Sequence, residues 1–274
     1  MNEYLFVDGA YLRQRFKEWI QRSYGEAPAS LCMEHMRRAL GSILGHREIA
    51  KCFYYDCVDD GDAVTQKFFD HIRALPGWHV REGRLVGGRK ERRSQKRVDV
   101  MLTVEMLSHA INKNMDRAIL LAGDDDFTPL VDELLRHGTY VEVWSARGAD
   151  AKHLNNSADE SRRMTFEFFW HLTPDEFQSE HPYPDFATYR LLPGHRALKS
   201  TTSSSGQEIW IKESPYGYHF VVDTDSEMSL VTSTELMALE EFIRDQFAER
   251  GLVPIDKWPE LPSPAETQAP HEPS

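Results

Sequence analysis

At 274 residues the chain has room for one large domain with a small one beside it, and its 41% hydrophobic and 28% charged residues are ordinary for a globular protein. A net charge of −12 excludes bulk electrostatic coating of nucleic acid, although a local basic segment can still guide a phosphate backbone. No apolar run approaches a membrane span, and Met1-Asn2-Glu3-Tyr4 enters an apolar stretch with no basic segment before it. A membrane partner and a signal peptide are therefore not expected, and a cytoplasmic location is. Cys32, Cys52 and Cys57 form neither a disulfide framework nor a zinc spacing, and read as incidental thiols.

In chain order, Tyr4-Leu5-Phe6-Val7 is a short apolar strand that stops at Asp8-Gly9. Residues 11–20 and 31–44 read as helices, separated by Gly25 and Pro28. Residues 48–55 are β-prone and stop at Asp56, and 63–75 form a helix closed by Pro76-Gly77. A strand over 78–81, a basic loop, a helix over 100–111 and a buried strand over 117–122 follow. Thr128 is a candidate N-cap for a helix over 129–136, with Pro129 at its first position and Gly138 just past its end. Residues 140–144 are another strand. Strands alternating with helices, the central ones near-continuously apolar, predict an α/β fold with a mostly parallel sheet covered on both faces.

In such sheets the reactive groups gather beyond the carboxyl ends of the strands. Asp8, Asp56 and Asp124 each stand at or just past a strand end. The densest signal is Gly123-Asp124-Asp125-Asp126-Phe127, where adjacent carboxylates raise one another's pKa unless a cation or donors offset them. The plainer alternative is a solvated turn whose acids favour a helix N-terminus. Asp99, in Lys96-Arg97-Val98-Asp99-Val100, is either a site acid or an N-cap. Glu105 lies six residues on, about 120° around a helix from Asp99, and ranks as an outer acid beside Asp125 and Asp56.

Three blocks carry a resemblance: FVDGAYL at 6–12, KRVDVMLTVEML at 96–107 and LLAGDDDFTPLVDELLRHGTYVEVW at 120–144. In this order and spacing they resemble the NYN family, which includes the LabA-like proteins and belongs to the wider PIN-like nuclease superfamily. The resemblance spans about residues 1–170. It implies a PIN-like three-layer sandwich that binds Mg²⁺ or Mn²⁺ through acids matching Asp8, Asp99, Asp124 and Asp126, and action on RNA ahead of DNA. The chain departs from the family's pattern in having Asp125 where Ser is common and Glu105 where Asp is frequent. Asn156-Ser157-Ala158-Asp159-Glu160 resembles the family's closing Ala-Asp segment only loosely, and Asp159 reads as structural.

The chemistry suits these residues. Hard divalent cations prefer oxygen ligands, and four aspartates from separated segments can hold one or two without filling their coordination. Metal-activated water would then cut a phosphodiester in line, with no Ser, Cys or His nucleophile. An aspartyl-phosphate mechanism needs a second acid two residues after Asp8, where Ala10 stands, and a Toprim-like site needs Glu where Asp8 stands. Residues 81–97 carry eight Lys or Arg against two Glu, and the Gly87-Gly88 pair suggests a flexible loop or hairpin along the substrate backbone. Lys96, Arg97, Arg92 and Arg93 are its candidate phosphate contacts. Phe127 reads as core, Tyr11 is open between base stacking and core, and His109 reads as structural.

The organisation expected is a nuclease domain over 1–172, a linker over 173–205, a small αβ region over 206–253 and a disordered acidic, Pro-rich tail over 254–274. Residues 208–213 and 218–223 alternate like a hairpin, and 235–249 read as an amphipathic helix. This region is the candidate for homo-oligomerisation or a protein partner. The rival to a nuclease is a catalytically silent PIN-like module that binds RNA or protein.

Overall fold

Strands that are apolar at successive positions need cover on both faces, and the sheet has it. In a computed structural model of the protein, residues 2–25, 30–44, 48–58, 62–84, 91–147, 151–186, 189–191, 195–203, 206–222, 228–247 and 257–259 are described. Strands β1 (Glu3–Asp8), β2 (Lys51–Val58), β3 (Trp78–Arg84), β4 (Arg117–Leu121), β5 (Tyr140–Ala146) and β6 (Glu160–Met164) form one sheet in the order β3-β2-β1-β4-β5-β6. Every pairing is parallel.

Side-chain alternation divides the core between two faces. Tyr4, Phe6, Phe53, Tyr55, Leu120 and Val143 line one of them. There they meet a stripe of Val98, Leu102, Met106 and Ala110 on α4 (Glu91–Ile111), and Leu130, Val131 and Leu134 on α5 (Thr128–Arg136). On the other, Tyr54 meets Phe68 and Phe69 of α3 (Ala63–Ala74), and Trp144 meets Phe168 of α7 (Phe166–His171). The result is the expected three-layer, PIN-like α/β sandwich. Leu120 is fully buried, so truncation to Ala would cost about 2–5 kcal/mol. No described helix is long and apolar enough to cross a membrane.

One charge inside this sheet is structural. Glu142 of β5 is fully buried, accepts from Trp144 Nε1 at 2.7 Å and Arg117 Nη1 at 3.3 Å, and is ion-paired with Arg162 at 2.8 Å. Two guanidiniums and an indole N–H thus offset its desolvation.

The chain divides into two compact units, with residues 19–25 and those from Pro174 onward in the second. Helix α1 (Gly9–Tyr24) begins in the first unit. The second unit is an antiparallel sheet, β7-β11-β10-β9-β8, of β7 (Tyr189–Arg190), β8 (Arg196–Thr202), β9 (Glu208–Ser214), β10 (Gly217–Val222) and β11 (Met228–Ser233). The anticipated hairpin is β9–β10, turning at Pro215-Tyr216, with Gly217 opening β10 at φ 135°. Ile209, Ile211, Phe220 and Val231 are buried, as are Leu239, Phe242 and Ile243 of α9 (Leu236–Phe247), which packs on β10 and β11.

Four local expectations are corrected. Residues 81–97 are not a single basic loop: 81–84 belong to β3 and 91–97 to α4, while 85–90 lie outside the described residues. Glu, Arg, Gln and Lys are good helix formers, and no Gly or Pro interrupts 91–97. Asp99 is consequently inside α4, two turns past its start, and not an N-cap. Thr128 is not an N-cap either, because winding begins at a short 3₁₀ turn, Asp125–Phe127, whose cap is Asp124. The expected linker holds α8 (Asp175–Glu180), β7 and β8, whose half-buried, mixed-polarity positions left no apolar signature. The expected tail lies almost wholly outside the described residues.

Candidate active site

Strand order decides where the candidate site lies. From β1 the chain works outward through β2 and β3, then α4 returns it to β4 on the other side of β1. The connections leaving β1 and β4 therefore diverge, the arrangement that in open α/β sheets leaves a binding crevice beyond the carboxyl ends. Asp8 is the last residue of β1, and Gly123-Asp124 follow β4. Asp99 reaches the same end from α4, one position past the buried Val98.

Electrostatics join these acids. Burial, opposed by the Tyr11 N–H and reinforced by the charges of Asp99, Asp56 and Asp124, raises Asp8 from 3.8 to about 7. Burial and the charges of Asp124 and Asp126 raise Asp99 to about 6. Asp8 is only 7% exposed, so little solvent screens it. Asp124 and Asp126 are exposed. Among the described residues, no three Asp, Glu, His or Cys side chains are already gathered into a metal cage. Mutually repelling carboxylates have reason to stand apart.

Each acid also has a local role. The Tyr11 N–H donates to Asp8 Oδ1 at 3.0 Å, and the Asp126 N–H donates to Asp124 Oδ1 at 2.9 Å. Asp125 Oδ1 accepts the Leu154 N–H at 3.0 Å, in the first turn of α6 (Lys152–Ser157), and so works as a helix cap. Asp56, at 2% exposure, accepts from Arg13 Nη2 at 3.0 Å, Tyr54 Oη at 3.1 Å and the Cys57 N–H at 2.7 Å, and is ion-paired with Arg13 at 2.8 Å. Burial still leaves it raised above the usual carboxylate range.

Glu105 points elsewhere. It receives Arg81 Nε at 2.8 Å, Arg81 Nη2 at 2.5 Å and Tyr55 Oη at 2.9 Å. Burial pushes it up, but Arg81 and Tyr55 outweigh that and bring it below the usual range. Asp159 accepts the Val141 N–H at 2.8 Å, a structural bond. Arg97 is exposed on α4 two residues before Asp99. Arg92, Arg93 and Lys96 lie in the first two turns of α4, with their side chains outside the described set. Phe127 is core at 3% exposure, and His109 sits against the rings of Tyr4, Phe6 and Phe53.

Sequence reasoning did not find the packing around two glycines. A Cβ on Gly9 would overlap the Tyr54 ring, and one on Gly123 would overlap the Tyr11 ring. A glycine beside an acid at a strand end was the available signal.

A three-layer sandwich on a parallel sheet, with acids at the end where its connections diverge, is the architecture of a PIN-like, nuclease-type domain. The sequence profile of the NYN domain family matches residues 4–165, and the chain belongs to that family. Domains of this class act on nucleic acid and typically use divalent metals. No curated protein matches. Three solved chains do; one is a protein of unknown function from Vibrio parahaemolyticus, 18% identical, covering 61% of this chain and 94% of that one at a TM-score of 0.45.

Proposed function

We propose that the domain is a divalent-metal-dependent nuclease that hydrolyses phosphodiesters, in RNA ahead of DNA, leaving a 5′ phosphate and a 3′ hydroxyl. The main support is the electrostatic meeting of Asp8, Asp99, Asp124 and Asp126, which come from β1, α4 and the segment after β4. Carboxylates held up at about 7 and about 6 by burial and like charge are what a bound cation would relieve. An all-oxygen donor set suits Mg²⁺ or Mn²⁺. Held by these four acids, the ion would supply the Lewis acidity that acidifies water and offsets phosphate charge.

The chain's own residues do the rest. The Tyr11 and Asp126 N–H groups orient Asp8 and Asp124 by one oxygen each and leave the other oxygen of each for an incoming cation. Arg97, with Lys96, Arg93 and Arg92 earlier on the same helix, would carry the substrate's phosphates toward Asp99.

Short labelled RNA and its DNA counterpart, incubated with Mn²⁺ and either wild-type protein or Asp124→Asn, test this reading. RNA cleavage that needs both Mn²⁺ and Asp124 supports it. Cleavage that survives the substitution rejects the assignment.

One observation favours a non-cutting RNA- or protein-binding module: Asp125, at the centre of the acidic run, is committed to the Leu154 N–H as a helix cap. RNA retained by the protein with Mn²⁺ present and never cut would select it. We assign self-association or partner binding to the C-terminal sheet, and a monomeric mass by light scattering would count against self-association.

A further inference from the structure

We propose that Tyr11 is a positioning residue, a strut that fixes the carboxyl ends of β1, β4 and β5 relative to one another and thereby sets the separation of the acids. This rests on the reading above, in which those acids hold the cation.

Three contacts of Tyr11 reach the three strand ends. Its backbone N–H donates to Asp8 Oδ1 at 3.0 Å, at the end of β1. Its ring lies against Gly123, in the space a Cβ would take, immediately after β4. Its hydroxyl oxygen accepts the Ala146 N–H at 2.8 Å, at the end of β5.

The glycine's role follows from this packing. Gly123 does not have the positive φ that demands glycine, so the ring itself is what excludes a larger residue. Gly123 precedes Asp124, so the ring decides where the segment bearing Asp124 and Asp126 passes. The guanidinium of Arg15, paired with Glu18 at 2.9 Å, lies 5.6 Å from the ring centroid and backs it.

Side chains that hold ligand-bearing segments typically change metal affinity or activity about 10–100-fold when removed. Tyr11→Phe keeps the ring and the N–H and loses only Ala146. Tyr11→Ala loses the ring as well. Gly123→Ala leaves Tyr11 present but displaces its ring.

The test measures Mn²⁺ affinity of the full chain by electron paramagnetic resonance of the free ion, with kcat and KM on labelled RNA alongside. Tyr11→Ala is expected to weaken Mn²⁺ binding about 10-fold or more and to lower kcat with KM for RNA unchanged. Tyr11→Phe is expected to fall between it and wild type. Gly123→Ala should reproduce the loss, and adding Tyr11→Ala to it should cost nothing further.

Mn²⁺ affinities within twofold of wild type in Tyr11→Ala and Gly123→Ala would overturn the proposal, however far either lowers the melting temperature. If Tyr11→Ala does not fold, unchanged affinity in Tyr11→Phe and Gly123→Ala does the same. Wild-type Mn²⁺ binding that is lost in Asp124→Asn but retained in Tyr11→Ala overturns the strut alone. Wild-type protein that binds no Mn²⁺ overturns the metal reading and the strut with it.

Discussion

Replacing Asp8 with Asn should make the protein more stable at alkaline pH while abolishing cleavage. Asp8 rises from 3.8 to about 7 on folding, because burial and neighbouring negative charge disfavour its ionised form. Between those values the folded state holds a proton that the unfolded state has released. Stability conferred at low pH is therefore lost as pH rises toward 7, and the full penalty persists above it. A shift of roughly three pH units at about 1.4 kcal/mol each sets an upper limit of about 4 kcal/mol. At 7% exposure the group needs no large discount for solvent. Asn keeps an oxygen for the Tyr11 N–H but must bury an amide, which lowers the expected gain to about 2–4 kcal/mol. Urea unfolding in EDTA at pH 4.5, 6 and 8 measures it. The stability gap between variant and wild type should widen with pH up to about 7 and then level off. A variant less stable than wild type at pH 8, or a gap independent of pH, would refute the reasoning.

Four further outcomes are expected. Mn²⁺ at about 100 times its Kd should stabilise wild type by about 2.7 kcal/mol in a thermal-shift assay, and this gain should vanish in Asp8→Asn. Asp125→Ala should cost about 1 kcal/mol in urea through loss of the Leu154 cap, yet leave cleavage within a few-fold of wild type. Glu105→Gln should lower stability by about 1–2 kcal/mol through its charge-assisted bonds with Arg81, with Mn²⁺ affinity by thermal shift unchanged. Glu142→Ala leaves Arg117 and Arg162 without their buried carboxylate, and should cost about 3–5 kcal/mol by urea unfolding.

The elements carrying the site were readable where apolar patterning is strong. The β1 and β4 sequences announce buried strands, and Asp8 and Gly123-Asp124 announce their ends. What linear reading misses is what depends on proximity. Nothing in KRVDVM says that the helix starts at Glu91, because its first two turns are polar all round and offer no apolar period to read. Asp125 and Asp124 look alike in sequence and differ only because α6 begins beside one of them. Glu105 looked like an outer acid until Arg81, brought by β3, took both its oxygens. The three contacts of Tyr11 join residues up to 135 apart in sequence, which no local pattern reports.

The central claim is that acids from β1, α4 and the segment after β4 share a cation. Diffraction from crystals soaked in Mn²⁺, with anomalous data, tests it most directly. The account predicts a peak within ligand distance of Asp8 and of at least two among Asp99, Asp124 and Asp126. Mn²⁺ elsewhere on the chain, with those four carboxylates empty, would contradict it.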